Sequence, residues 1–377
     1  MTGSPDILIV GAGLVGAACA DACAGEGLKV LVLDRGPIGG GTTGASMGHI
    51  VVLDDSEPQF ALSAYSRRLW RELAPELPAD AEFDACGTMW VAADDEEMEG
   101  ALAKAAAYRA SGLAAEILDA AALAEAEPHL RPGLSGGLLI PDDCVLYPPV
   151  AAGFLLERAR AKGAEVRTGI AVLSLEADGS ARTAGGDRIA AGLAVNAAGC
   201  WSPALTPGIP VRKRKGHLVV TDRYPGIVRH QLVELGYLKS AHAVSSDSVA
   251  FNIQPRRTGQ ILVGSSRQYD DDEAEVRPGM LRRMLDRAIE YLPGLARCLA
   301  LRAWTGFRPA TPDKLPLIGP AEEGGRIWLA TGHEGLGITA SLATGKILAD
   351  LVLGRTSAIP AAPYAPGRFR KGDPGHA

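Results

Sequence analysis

The sequence predicts an α/β fold with an α+β, antiparallel-sheet domain threaded through it, and three stretches carry that prediction. Asp6–Arg35, DILIVGAGLVGAACADACAGEGLKVLVLDR, reads as strand, glycine turn, Ala-rich helix and second strand without interruption. The middle of the chain then loses this alternation. There, Glu96–Ala126 is rich in Ala and Glu, and His217–Thr221, Val249–Gln254 and Gln260–Ser265 read as strands of an antiparallel sheet. Near the end Ile327–Ala330 returns as a buried strand, and Gly332–Gly337 leads into a last helix, Ile338–Leu353.

Taken in order, Asp6–Val10 is short, apolar and β-branched, as a buried parallel strand requires. Gly11, Gly13 and Gly16 follow as G-x-G-x-x-G. The first permits a tight turn, the second lets backbone reach a pyrophosphate, and the third lets the helix pack on the strand. Leu14–Ala24 is the helix, Gly25–Gly27 ends it, and Lys29–Leu33 is a second strand closing on Asp34. The helix N-terminus offers free N–H groups and the positive end of its dipole to phosphate, and Asp34 is placed to accept hydrogen bonds from a ribose. Strand, helix, second strand and terminal acid together predict a Rossmann-type dinucleotide site rather than a chance glycine-rich turn.

Gly36–Gly48, GPIGGGTTGASMG, is too glycine-rich for an ordinary connector and can lie flat against a ligand; a mobile surface loop is its plainer reading. Pro58–Leu73 has helical spacing in Phe60, Leu62, Tyr65 and Leu69, and Gly87–Ala93 reads as a strand. Glu96–Ala126 reads as helix broken near Ser111–Gly112. Pro148–Lys162 is helical with prolines in its first turn, and leads into short buried strands at Glu165–Thr168 and Ala171–Glu176. Arg188–Asn196 runs into Ala197–Ser202, and Pro278–Tyr291 is an amphipathic helix. Arg212–Lys215, RKRK, reads as a solvated hinge between domains. Acidic Asp270–Glu275 reads as a solvated loop, since it lacks the spacing of a metal site. No internal repeat occurs, and the polar, proline-rich stretch after Gly354 is expected to be poorly ordered.

The chain has 377 residues, 47% hydrophobic and 22% charged, which suits two or three globular domains. A net charge of −6 argues against nucleic acid as the main partner. No run of ~18 apolar residues is present to span a membrane, and no basic-then-apolar leader opens the chain. The six cysteines are scattered without metal-ligand spacing; Cys19 and Cys23, four apart on the first helix, suggest packing. A cytoplasmic protein with reduced thiols and no metal is expected.

At this point the motifs resemble a family. The N-terminal fingerprint, NAAGCWS at Asn196–Ser202, GFRPATPDKLPLIG at Gly306–Gly319 and ATGHEGLGITASLATGKILADL at Ala330–Leu351 are similar to the FAD-dependent D-amino-acid oxidase superfamily, which includes glycine oxidase, sarcosine oxidase and D-amino-acid dehydrogenases. GASMGHIVVLDDSEP at Gly44–Pro58 and AFNIQPRRTGQILVGSSRQYD at Ala250–Asp270 resemble most the flavoprotein β subunits of D-hydroxyproline dehydrogenase and opine oxidases.

The resemblance implies roles residue by residue. Gly11, Ala12, Gly13, Leu14, Val15 and Gly16 match the pyrophosphate loop, and Asp34 with Arg35 the pair at the ribose. Thr42 and Thr43 match hydroxyls near the phosphates, and Ala45, Ser46, Met47, Gly48 and His49 match backbone along the isoalloxazine. Val172 matches a backbone contact to adenine, and Ala197, Ala198, Gly199 and Trp201 the turn beneath the cofactor. Gly332, His333, Gly335, Leu336, Gly337, Ile338 and Thr339 match the loop and helix start at the pyrimidine side, where a helix N-terminus stabilises charge on the reduced ring. Arg308 matches the arginine that holds the substrate carboxylate, an interdomain salt bridge being its structural alternative. Asn252 stands where glycine oxidase has a tyrosine in its substrate pocket, so the substrate is what the sequence leaves open. His49 is a tempting base, with hydrogen bonding at the flavin its plainer role; no general base is assigned.

The expected architecture is a Rossmann-type FAD-binding domain of residues 1–85, 145–212 and 305–365, a substrate domain of 86–144 and 213–304, and a tail of 366–377. The active site is expected at the domain junction. The implied reaction is oxidation of an α-amino or secondary imino acid by hydride transfer from Cα to the N5 of a non-covalently bound FAD. D-hydroxyproline or D-proline is the expected substrate. Glycine or sarcosine oxidation by oxygen is the alternative, as is the flavoprotein subunit of a heteromeric opine dehydrogenase, which would bring electron-transfer partner subunits.

Overall fold

The computed structural model describes residues 3–236, 247–269 and 271–369. The chain folds into two compact units: one draws on Met1–Ala81, Tyr147–Lys213 and Phe307–Ala377, the other on Glu82–Leu146 and Arg214–Gly306. Two helix–strand architectures result, one in each unit, which is the α/β organisation the sequence predicts.

The first unit is built on a six-stranded sheet in the order Leu317–Pro320, Ile327–Thr331, Leu193–Asn196, β1 (Ile7–Val10), β2 (Val30–Asp34), Glu165–Thr168. All neighbours are parallel except the first pair. β1 sits centrally with every side chain buried, which explains its unbroken Ile-Leu-Ile-Val sequence. Helix α1 (Leu14–Gly25) is also buried along most of its length and packs against the helices Pro148–Ala161 and Ser341–Val352. Its small residues make that approach close: a Cβ on Gly345 would stand 2.5 Å from the Ala18 carbonyl oxygen. Cys19 and Cys23 are part of this packing, and burial pushes the Cys23 thiol up to about 12. A small antiparallel sheet, Val172–Leu175, Ala181–Thr183 and Arg188–Ile189, lies in the same unit.

The second unit is an eight-stranded sheet: Ala300–Ala310, Arg212–Arg223, Gln260–Arg267, Ser248–Pro255, Gln231–Glu234, Thr88–Ala92, Gly136–Ile140, Glu116–Asp119. It is not purely antiparallel as expected, because Gln231–Glu234 runs parallel to Thr88–Ala92. One face carries Met89, Val91, Leu232, Phe251, Ile253 and Val263 against Met284, Ala288 and Tyr291 of the helix Pro278–Tyr291. Phe251 stacks on Tyr291 with ring centroids 4.5 Å apart. Burying such a ring stabilises by about 1.5–3 kcal/mol, with up to about 1.5 more for the pair geometry. Glu234, buried at the rim of this core, is held by the Arg287 guanidinium, the Tyr291 hydroxyl and the Phe251 amide.

Several expectations are corrected here. RKRK is no solvated hinge: Arg212–Arg223 is a strand, Arg214 and Lys215 are buried, and Lys215 pairs with Asp271 at 2.9 Å. A buried ammonium persists because that carboxylate compensates it. Asp271 is correspondingly no solvated acid, since Arg277 Nε also donates to it at 2.9 Å; the neighbouring residue 270 lies outside the described residues. Beside this cluster His217 is fully buried, with Nε2 accepting from the Arg277 amide and Nδ1 against Ser266 Oγ, both at 2.9 Å; burial and then Lys215 lower its pKa to about 4.

Glu96–Ala126 is helix only at Asp95–Ala110 and Ala120–Ala126. Between them Glu116–Asp119 pairs with Gly136–Ile140, and Asp119 Oδ1 caps the following helix. Glu165–Thr168 is an edge strand rather than a buried one. The stretch after Gly354 is tied to the rest of the unit: Tyr364 is buried and donates to the Pro58 carbonyl at 2.7 Å, and Arg368 pairs with Asp313. Residues 370–377 of the expected tail lie outside the described residues.

Candidate active site

The first unit gathers the predicted cofactor-binding residues around the turn between β1 and α1. Gly11 has φ +122°, and a Cβ there would stand 2.4 Å from the Ala197 carbonyl oxygen. A Cβ on Gly16 would meet the Gly11 carbonyl oxygen at 1.9 Å. Strand, turn, helix and the Ala197 segment therefore touch backbone to backbone, a distance that only glycine allows. Gly13 is the N-cap of α1 and lends no capping side chain. Ala12 N donates to Asp34 Oδ2 at 2.6 Å and Gly36 N to Oδ1 at 2.7 Å, so the terminal acid of β2 organises the turn before any ribose is considered. Each of its oxygens has a second lone pair for a further donor.

Thr42 and Thr43 hold the glycine-rich segment, whose Gly41–Gly44 forms a short helical turn, onto this centre. Thr43 Oγ1 accepts from Leu14 N at 3.0 Å, and Thr42 Oγ1 donates to the Phe307 carbonyl at 2.8 Å, the residue before Arg308. Ser46 Oγ donates to the Thr43 carbonyl at 2.8 Å, with Ala45 half-buried and Met47 and Gly48 buried beyond. The Arg35 guanidinium lies over the Trp201 ring, 4.4 Å from its centroid, and Val172 opens the small sheet two residues after Ile170, whose amide donates to the Asp34 carbonyl.

The turn Ala197–Trp201 is fixed by residues to which the sequence reading gave no role. Asn196 Nδ2 donates to the Ser202 carbonyl and to Thr206 Oγ1, both at 2.9 Å, and its Oδ1 accepts from Ala198 N. Thr331 Oγ1 donates to the Gly199 carbonyl at 3.0 Å and accepts from Ser202 Oγ at 2.8 Å. Asparagine, serine and threonine flanking a glycine turn are the signal that could have found them.

The C-terminal loop meets the same centre. A Cβ on Gly337 would lie 4.0 Å from Val15 Cγ2 and 3.5 Å from His333 Cβ. Thr339 Oγ1 donates to the His49 carbonyl at 2.9 Å and accepts from Val51 N at 3.1 Å, which pins the segment ending at His49 to this loop. His333 is buried with Nε2 against Thr344 Oγ1 at 2.9 Å; burial lowers its pKa to about 3, so it stays neutral. The last helix starts at Ser341, not at Ile338: Glu334–Leu336 is a 3-10 turn, and Ser66 Oγ takes the Ala343 amide at 3.1 Å. The predicted contact residues Gly335–Thr339 therefore precede the helix rather than form its first turn. Arg308 stands beside that loop, since a Cβ on Gly335 would lie 3.9 Å from its Cδ and Nε. Asn252 belongs to the second unit, buried on the strand Ser248–Pro255. Among the described residues no cluster of His, Cys, Asp or Glu could hold a metal ion, and no helix is long and apolar enough to cross a membrane.

Comparison with known proteins agrees with this geometry. Residues 6–351 match the family model of FAD dependent oxidoreductases, and the chain belongs to that family. Glycine oxidase of Geobacillus kaustophilus is 28% identical over 97% of this chain and 97% of its own. A solved structure of glycine oxidase from Geobacillus kaustophilus superposes with a TM-score of 0.87, at 26% identity, over 98% of this chain and all of that one. D-amino acid dehydrogenase of Paramagnetospirillum magneticum is 31% identical over 81% of this chain and 72% of its own, and hydrogen cyanide synthase subunit HcnC of Pseudomonas aeruginosa is 27% identical over 97% and 96%. The protein is thus an FAD-dependent oxidoreductase of the amino-acid oxidase and dehydrogenase superfamily. The uncapped start of α1, the glycine cradle and the acid of β2 fit the dinucleotide part of FAD.

Gly13 has φ −71°, which any residue adopts, but a Cβ there would stand 3.1 Å from Thr43 Oγ1, so Gly13→Val crowds both the predicted ligand contact and the Thr43 hydroxyl: it should purify largely colourless with its far-UV circular dichroism retained. Acid precipitation of the wild type should release all yellow colour, as non-covalent binding requires; a coloured pellet or a fully loaded valine variant would contradict the assignment. His333 binds its proton far less readily folded than unfolded, where its pKa is near 6.5. Its contribution to stability is therefore complete above about pH 6.5 and is lost as pH falls toward about 3, at up to about 1.4 kcal/mol per pH unit. Chemical unfolding of His333→Gln between pH 4 and 7 should show a shallower dependence than the wild type; parallel curves would refute this.

Proposed function

We propose that the protein is a dehydrogenase of D-configured cyclic secondary amines, with cis-4-hydroxy-D-proline preferred and D-proline second. The observation that carries this reading is Asn252: a small carboxamide, buried, with its Oδ1 unpartnered among the described residues, where the related oxidase has a tyrosine. It leaves room for a ring and offers it a donor and an acceptor. When bound, the flavin supplies the hydride acceptor. Arg308 holds the substrate carboxylate through its planar fork, and this fixes the orientation of Cα. His333, kept neutral by burial and hydrogen-bonded to Thr344, braces the loop rather than acting as an acid. His49 contributes its backbone carbonyl to Thr339 and acts at the cofactor rather than as the base.

Glycine oxidation by oxygen is the second reading, favoured by the name of the Geobacillus kaustophilus relative. The name of the Pseudomonas aeruginosa relative likewise favours service as one subunit of a heteromeric enzyme, with partner chains passing electrons onward. Dye reduction by the isolated chain separates that reading from a self-sufficient dehydrogenase.

Under anaerobic conditions cis-4-hydroxy-D-proline and then D-proline should bleach the flavin, and readmitted air should restore it slowly. Fast bleaching by glycine or sarcosine with none by the D-prolines, or rapid stoichiometric peroxide, would decide for the oxidase. Arg308→Ala should keep the flavin spectrum and lose about 100-fold in kcat/KM, since a charge-assisted bond is worth about 1.5–3 kcal/mol. Lysine should restore little, being a point charge. A change below about threefold would remove Arg308 from the carboxylate.

A further inference from the structure

The face of the second unit's sheet away from the helix Pro278–Tyr291 is unusual. Residues that alternate with its apolar core bring Thr88, Trp90, Gln231, Asn252 and Gln254 to the opposite side. Thr88 is the register partner of Gln231, and Trp90 and Asn252 are both partners of Val233. Gln254 lies one step beyond the pair Leu232 and Ile253, opposite Gln231. Gly264, the partner of Asn252 on the next strand, adds no side chain there.

All of these polar side chains are at least nine-tenths buried, and Gln254 is entirely so. Yet Thr88 Oγ1, Trp90 Nε1, Gln231 Oε1, Asn252 Oδ1 and both side-chain polar atoms of Gln254 have no hydrogen-bond partner among the described residues. A structural row of carboxamides would bond to itself, and a structural core position would carry an aliphatic residue instead. None of the five is charged. The cation beside them, Lys104, lies over the ring faces of Trp90 and Tyr108, with Nζ 5.1 and 4.9 Å from the centroids. Such a set suits a neutral group that both donates and accepts, a hydroxyl or a carboxamide, and disfavours an aliphatic ring alone, which would leave every one of these atoms bare.

We propose that this polar face recognises a neutral hydrogen-bonding group on the substrate, remote from its carboxylate, with Gln254 and Gln231 as specificity-determining residues alongside Asn252. The inference rests on the reading of Asn252 as a substrate contact and extends it to residues two strands share. It also explains why the positions stay polar: what they lose in the empty protein is recovered only when the matching substrate is bound.

The test uses the flavin-loaded enzyme and its Gln254→Leu and Gln231→Leu variants with two substrate pairs, cis-4-hydroxy-D-proline against D-proline and D-serine against D-alanine. In the wild type the hydroxylated member should have the higher kcat/KM in at least one pair. Each variant should lower that preference about tenfold, mainly through KM of the hydroxylated member, with the flavin spectrum unchanged. Without substrate, Gln254→Leu should melt no lower than the wild type, and up to about 4 °C higher, because unpartnered polar atoms have been replaced by a side chain of similar volume. A preference confined to the serine pair would remove the proline reading while supporting this one. A preference for the plain member in both pairs, an unaltered ratio in the variants, or an equal loss for both members together with a lowered melting temperature would overturn it.

Discussion

The first unit depends on one steric constraint, the meeting of three backbones at Gly11, Gly16 and Ala197. A Cβ at Gly11 or Gly16 would fall 2.4 or 1.9 Å from a carbonyl oxygen, well inside van der Waals contact. Because nothing occupies that space, β1 can turn directly into α1, and the segment after the strand Leu193–Asn196 can close beneath the turn. The hydrogen bonds that follow presuppose this approach. Asp34 can reach the amides of Ala12 and Gly36, and Thr43 can reach that of Leu14, only because the turn is this tight. The residues predicted to bind the cofactor are thus held by backbone contacts first and by side chains second.

Around that centre, small polar side chains join segments far apart in the chain. Thr42 ties the glycine-rich segment to Phe307, Thr339 ties the His49 segment to the C-terminal loop, and Thr331 with Ser202 ties the NAAGCWS turn to the strand before Gly332. Each such bond contributes about 0.5–1.5 kcal/mol, so their value lies less in total stability than in fixing one arrangement. Arg308 inherits its place from the same device, since its neighbour Phe307 is held by Thr42 and its own stem rests beside Gly335.

The second unit answers a different problem, a sheet whose central strands are buried on both faces. One face is a conventional apolar core on the helix Pro278–Tyr291, with Glu234 neutralised at its rim by Arg287. The other is lined by carboxamides and an indole with polar atoms that have no hydrogen-bond partner among the described residues. Buried charges elsewhere in the unit are matched, Lys215 by Asp271 and Glu127 by His230 and the amides around it. Among the described residues this face brings together Thr88, Trp90, Gln231, Asn252 and Gln254, each with an unpartnered polar atom, and an unpaired buried group is costly.

The sequence by itself determined whatever rests on local geometry. G-x-G-x-x-G between apolar strands, an acid at the end of β2, proline in a first helical turn and the amphipathic period of Pro278–Tyr291 each constrain only near neighbours, and each stands in the structure as read. Tertiary structure decided the rest. RKRK looks solvated until Asp271, 56 residues away, buries Lys215; Glu116–Asp119 looks helical until Gly136–Ile140 pairs with it. The stretch after Gly354 looks loose until Pro58 and Asp313 receive Tyr364 and Arg368. The polar face was equally hidden. Gln231 and Gln254 are unremarkable in sequence, and only the register of strands from separate parts of the chain shows that they lie opposite one another. Long-range pairing offsets local propensity wherever partner and segment are distant in sequence, and that is information no single stretch contains.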